Sequence, residues 1–155
     1  MPAEPRSPNP SSRSGAPKSR VKKPKFVLDS HAVVALLDKE KGHERVVARL
    51  VAAQNNEIAL YMSLINWGEI LYTFERERGV AFADELEQDP DDYPMILMGV
   101  DRKRIRAAAR LKSMYRLSYA DAFAVALAQE LKATVITGDP EFRTVADIVS
   151  IDWVR

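Results

Sequence analysis

Leu117–Phe142 reads LSYADAFAVALAQELKATVITGDPEF. Ser118-Tyr119-Ala120-Asp121 fits a helix N-terminus, with a serine cap and an acid at the third helical position. The residues behind it, Ala122 to Ala128, are apolar nearly all round, which predicts a buried helix over 118–132. Asp121 then lies above Val125 and Ala128 on a packed face, where a carboxylate needs partners or a cation. The run from Ala133 to Thr137 predicts a strand, and it ends at Gly138-Asp139-Pro140. Two carboxylates thus stand at the ends of adjacent elements.

Outward from this stretch the chain alternates strands and helices. Lys25 to Leu28 reads as a strand that runs into Asp29. A helix follows over 30–38, with Ala32, Val33, Leu36 and Leu37 at helical spacing, and Gly42 stops it. A second helix spans 43–55 on Val46, Val47, Leu50 and Val51. Glu57 to Met62 is a strand, Ser63 caps a helix that reaches Arg78, and another helix covers 80–87. After a loop at 89–94, a strand is expected within 94–100 and a helix over 101–116 with Ile105, Ala108 and Leu111 on one side. A short helix after Pro140 and a strand near 148–154 close the chain. This order predicts an α/β domain with a central, mostly parallel sheet flanked by helices in three layers. Ligands in such sheets bind beyond the carboxyl ends of the strands. Asp29 and Asp139 each follow a strand, so parallel neighbouring strands would put both at one edge.

Composition bounds the chemistry. The 155 residues suit one domain, expected over 25–155. No apolar run approaches the ~20 residues of a membrane span, and no signal-peptide core is visible, so no membrane association and a cytoplasmic location are expected. Cysteine is absent, which excludes disulfides, zinc–thiolate sites and thiol catalysis. Residues 1–25 hold seven Lys/Arg against one acid, a charge of +6, which leaves −5 for 26–155 out of +1 overall. The acidic body argues against a broad basic surface for nucleic acid but is compatible with an acidic metal cleft. Residues 1–24 hold six of the nine prolines and five serines, too little apolar surface to offset ordering, and are expected to be a disordered basic tail. Alternatives for this tail are an RNA-touching arm and a translation start nearer Val21.

Each acid has a plain structural reading beside the functional one. Asp29 and Asp139 suit helix caps, the latter with Pro140 at the first helical position. Asp121 fits the capping box. Glu69 shares a helix face with Asn66 and Thr73, bordering an apolar side made by Leu64, Leu71 and Tyr72, and reads equally as a solvated stripe. Against these stands one joint reading. Carboxylates are hard ligands suited to Mg²⁺ or Mn²⁺, and several converging like charges repel unless a cation joins them. Such a site lowers the pKa of a water and stabilises the leaving oxygen of a phosphodiester.

Four pieces of the chain, in order, resemble the PIN-domain ribonucleases, most closely the VapC-type toxins of toxin–antitoxin systems. They are Phe26-Val27-Leu28-Asp29-Ser30, Ser63-Leu64-Ile65-Asn66-Trp67-Gly68-Glu69, Leu117-Ser118-Tyr119-Ala120-Asp121-Ala122 and Thr137-Gly138-Asp139-Pro140-Glu141-Phe142. The resemblance covers about 26–155 and implies a PIN-like fold, with a parallel sheet of five or so strands. It implies that Asp29, Glu69, Asp121 and Asp139 hold one or two divalent ions, Mg²⁺ or Mn²⁺, for hydrolysis of RNA by a metal-activated water. Ser30 and Thr137 match polar positions beside the cluster, where a supporting role is expected; Asn66 and Ser118 are candidates for the same role. It further implies a homodimer and a small antitoxin protein as partner.

The chain also departs from that pattern. His31 stands where the family usually has a small polar residue, and it reads either as a general base or as an early-helix residue facing solvent or a neighbour. The long basic tail is not typical. Asp84, Glu85, Glu87, Asp89, Asp91 and Asp92 read as solvated surface. Tyr61, Trp67 and Tyr72 could stack on bases but are expected in the core or an interface. The alternative function is a PIN-like binding or scaffold domain of little activity, acting through a protein partner. A haloacid-dehalogenase-like phosphatase would want Asp-x-Asp where the chain has Asp29-Ser30-His31. A receiver domain would want a Lys after a late strand, and none follows Thr137-Gly138-Asp139.

Overall fold

A computed structural model of the protein describes residues 22–154. The tail expected over 1–24 therefore lies outside the described residues, apart from 22–24, which carry no helix or strand. The element order is β1 (Lys25–Leu28), α1 (Ser30–Leu37), α2 (His43–Gln54), β2 (Ala59–Ser63), α3 (Leu64–Arg78), α4 (Val80–Gln88), β3 (Ile96–Met98), α5 (Arg102–Met114), α6 (Tyr119–Leu131), β4 (Thr134–Thr137) and β5 (Ile151–Trp153). Two 3₁₀ turns stand at Pro90–Asp92 and Pro140–Val145. Every expected element is present, shifted by a few residues at most at its ends.

The five strands form one parallel sheet in the order β3-β2-β1-β4-β5. Side chains alternate across it, as the two-residue period of a strand demands. Val27 and Val135 face a core shared with α5, α6 and the Pro140–Val145 turn. Leu28, Leu60, Met62 and Ile136 face a second core shared with α1, α2, α3 and α4. Three layers result, with two apolar interfaces on one sheet. Fully buried side chains such as Phe74, Ile136 and Phe142 each contribute roughly 1.5–3 kcal/mol from removal from water.

Helix α6 is buried without a break from Asp121 to Ala128, because it packs on α3, on α5 and on the sheet together. Its small side chains permit that approach. Helix α3 corrects one expectation. Its buried side is Asn66, Trp67, Ile70 and Phe74, while Leu64 and Tyr72 are exposed. The stripe at three- and four-residue spacing wins, and it leaves Glu69 at the rim of the buried face.

The chain lays β2 and β3 on one side of β1, then crosses back to lay β4 on the other side. Strand order reverses between β1 and β4, and their carboxyl ends open a crevice there. Asp29 and Asp139 follow those two strands.

Candidate metal centre

Asp29 is the N-cap of α1. Its Oδ1 accepts from the Ala32 N–H at 2.8 Å, and its Oδ2 accepts from the Thr137 hydroxyl at 2.6 Å. The Thr137 oxygen accepts in turn from the Asp139 N–H at 3.0 Å. Asp139 caps the turn that follows, accepting from the Glu141 N–H at 2.9 Å. One relay of hydrogen bonds therefore runs Asp29–Thr137–Asp139–Glu141 and locks the ends of β1 and β4 together. Asp29 and Thr137 are both wholly buried.

Asp121 enters from the first turn of α6, whose cap is Ser118; the Ser118 oxygen accepts from the Asp121 N–H at 3.0 Å. Asn66, wholly buried, donates from Nδ2 to the Ala120 carbonyl at 3.1 Å and so ties α3 to that same turn. Glu69 arrives from α3. The Ser30 hydroxyl donates to its Oε1, and the Tyr72 hydroxyl donates to its Oε2 at 3.4 Å.

Glu69, Asp121 and Asp139 face an open cleft of about 370 Å³, together with Ser30, Ser118 and Glu141. Carboxylate oxygens of Asp121, Asp139 and Glu141 lie within 4.8 Å of one another. Asp29 and Glu69 fall outside that group. Asp29 does not line the cleft either, yet it feels the charges of Asp121 and Asp139, and Asp121 feels those of Asp139, Glu69 and Glu141. Asp121 thus couples electrostatically to each of the other three predicted acids, while the tight triple includes Glu141, which the sequence pattern did not single out. Its signal was its position. An acid two residues past a capping Asp, in a tight turn opened by Pro140, returns to the same rim.

Two carboxyls carry the cost of this convergence. Burial, against the hydrogen bonds from Thr137 and Ala32 and with help from the charges of Asp121 and Asp139, pushes Asp29 up from 3.8 to about 8. Burial, with the charges of Asp139, Glu69 and Glu141 added, pushes Asp121 up to about 6 against its bond to Ser118. Among the described residues no Lys or Arg lines the cleft. Hard oxygen donors and repelling charges fit a divalent ion of the Mg²⁺ or Mn²⁺ kind. Asp121, Asp139 and Glu141 could ligate directly, with Asp29 beneath and Glu69 beside them.

His31 lines the same cleft. Its ring packs on Gly138, and its Nδ1 is buried without a hydrogen-bond partner among the described residues. Trp67 is 4% exposed, packs on Tyr93 and donates from its indole N–H to Glu87, so it belongs to the core. Tyr61 is half-buried against the core, whereas Tyr72 is exposed at the cleft. Among the described residues the acidic run from Asp84 to Asp92 forms no group with ligand spacing.

Solved structures share this arrangement of elements at low identity. DNA-bound VapBC from Salmonella typhimurium superposes with a TM-score of 0.64 at 14% identity, over 85% of this chain and 99% of the other. A toxin–antitoxin complex from Klebsiella pneumoniae gives 0.62 at 15%, over 84% and 98%. FitAcB from Neisseria gonorrhoeae gives 0.59 at 22%, over 81% and 95%. No curated protein matches the chain closely enough to count as a relative. The PIN domain model matches residues 26–148, a span that opens at β1 and takes in all four predicted acids. A parallel five-stranded sheet whose switch point gathers carboxylates, and a match over that length, have one conclusion: the chain belongs to the PIN-domain family.

Proposed function

We propose that the protein is a divalent-metal-dependent endoribonuclease of VapC type, the toxin of a toxin–antitoxin pair. The observation that carries this reading is the cleft at the switch point, where Asp121, Asp139 and Glu141 converge over the buried Asp29 with no Lys or Arg in the lining among the described residues. Asp29, Glu69, Asp121 and Asp139 are the proposed catalytic and metal-holding set, with Glu141 added. When bound, Mg²⁺ or Mn²⁺ supplies an acidified water and stabilises charge on the phosphate oxygens. The chain's own residues hold the ligands in place. Thr137 orients Asp29 and positions the Asp139 backbone, Ser30 orients Glu69, Ser118 fixes the start of α6, and Asn66 holds that helix against α3. Ligand orientation of this kind sets metal affinity by factors of about 10–100.

The partner reading is supported by likeness of fold to a toxin–antitoxin complex from Klebsiella pneumoniae and to DNA-bound VapBC from Salmonella typhimurium. A small antitoxin, a homodimer and a cytoplasmic setting belong to the same proposal. The test is cleavage of a mixed RNA pool, tRNA included, by the wild type and by Asp121→Asn with Mg²⁺, Mn²⁺ or EDTA. Metal-dependent cutting by the wild type, lost in Asp121→Asn, is expected. A wild type that binds Mn²⁺ and cuts no RNA would favour the binding-module alternative, and full activity in Asp121→Asn would refute the site.

A further inference from the structure

The acidic body conceals one basic helix. Residues 26–155 contain sixteen Lys/Arg, and seven of them lie between Arg102 and Arg116, a span without a single acid. Arg104 is held by Glu130 at 3.0 Å and by the Gly99 carbonyl at 2.7 Å. The other six make no ion pair among the described residues. Lys103, Arg106 and Arg110 are spaced three and four apart, so they share one face of α5. That face opens on a groove of about 510 Å³ against α6, which also includes Met114, 67% exposed, and the half-buried Tyr115. Arg106 and Arg110 stand about 6 Å apart along the helix axis, so their long side chains can track neighbouring phosphates. The C-terminal end of α5 leads directly to the cleft, because Arg116 stands two residues before Ser118.

We infer that the α5 groove is the track that holds the backbone of single-stranded RNA as it enters the acidic cleft. This rests on the nuclease reading for its direction, though not for its chemistry. A cleft lined with carboxylates repels a polyanion, so the substrate must be held elsewhere, and this groove has the complementary charge. Unpaired guanidinium groups beside an aromatic ring are the ordinary means of holding a single strand without reading its sequence.

The experiment measures anisotropy of a fluorescein-labelled single-stranded RNA of mixed sequence, in EDTA, across a salt series. It compares the full chain with R106Q/R110Q and with K39Q/K41Q, an exposed pair of equal charge in the turn between α1 and α2. Each lost phosphate contact is worth roughly fivefold at about 0.1 M salt, so R106Q/R110Q should bind about 25-fold more weakly, with a salt slope shallower by about 1.4. K39Q/K41Q should stay within about twofold, since it removes no contact. Unchanged Mn²⁺ binding by R106Q/R110Q shows that the fold persists. Wild-type affinity and slope in R106Q/R110Q would overturn the proposal. So would equal loss in K39Q/K41Q, which would make net charge the cause, or loss of self-association in place of RNA binding, which would make the groove a protein interface. If R106Q/R110Q loses RNA binding while no form of the protein cuts RNA, the track stands and the nuclease reading falls.

Discussion

Asp29→Asn should stabilise the metal-free protein near neutral pH, although Asp29 caps α1 and touches Thr137. The folded carboxyl is raised from 3.8 to about 8, mainly by burial. The folded state therefore binds more protons than the unfolded one across that window, and stability falls as pH rises from about 4 toward 8, then levels off. Each pH unit costs about 1.4 kcal/mol, so at pH 7.5 the penalty reaches roughly 5 kcal/mol. Asn escapes it and keeps an oxygen for the Ala32 N–H, but its other arm cannot accept from the Thr137 hydroxyl, a loss of about 1–3 kcal/mol. The net gain is roughly 3 kcal/mol, a rise in Tm on the order of 6–12 °C. Thermal melts in EDTA between about pH 4.5 and 8.5 read this directly. The wild type should lose stability along that range while Asp29→Asn stays much flatter, and added Mn²⁺ should favour the wild type selectively. Parallel curves, or a less stable Asn variant at pH 7.5, would refute the claim that Asp29 is held uncharged by burial.

Mn²⁺ affinity should fall about tenfold per pH unit below pH 8, where an ion must displace the proton on Asp29, and more steeply below about 6, where Asp121 is also protonated. Calorimetry in buffers of different ionisation enthalpy counts the protons released, and a flat profile between pH 6 and 8 would exclude Asp29 from the linkage. Glu141→Gln should weaken Mn²⁺ binding roughly tenfold while its melting temperature barely moves, since Glu141 is exposed. Gly138→Ala would place a Cβ 3.0 Å from His31 Cε1, 3.1 Å from its Nδ1 and 3.3 Å from Val154 Cγ2. A loss of about 1 kcal/mol is expected, and His31→Ser in the same chain should recover most of it; an additive double variant would show that the His31 ring is not the obstacle.

The fold was legible because each element announced itself by period. Lys25–Leu28 is a short apolar run, Thr134–Thr137 is β-branched throughout, α6 is apolar nearly all round from Ala122 to Ala128, and a serine or an acid caps α1, α3, α5 and α6. The sequence also supported caps and cluster alike, and both readings hold together: Asp29 and Asp139 cap their helices and stand at the switch point. Three things were hidden. The depth of Asp29 depends on β1, β4 and α1 closing over it, which no local pattern encodes. Glu141 reaches the triple through a 3₁₀ turn, whose three-residue period turns a sequence neighbour back to the rim. The basic face of α5 was in view as RKRIRAAARLKSMYR, but net charge averaged it against the acids of α4 and the following loop.

The central claim is that these carboxylates form one metal centre. Anomalous diffraction from crystals grown with Mn²⁺ tests it most directly. A single centre gives a peak in the cleft bounded by Asp121, Asp139 and Glu141, with Asp29 beneath it, and no peak in Asp121→Asn. A cleft without a peak at saturating Mn²⁺, or a peak confined to the acidic run between Asp84 and Asp92, would contradict it.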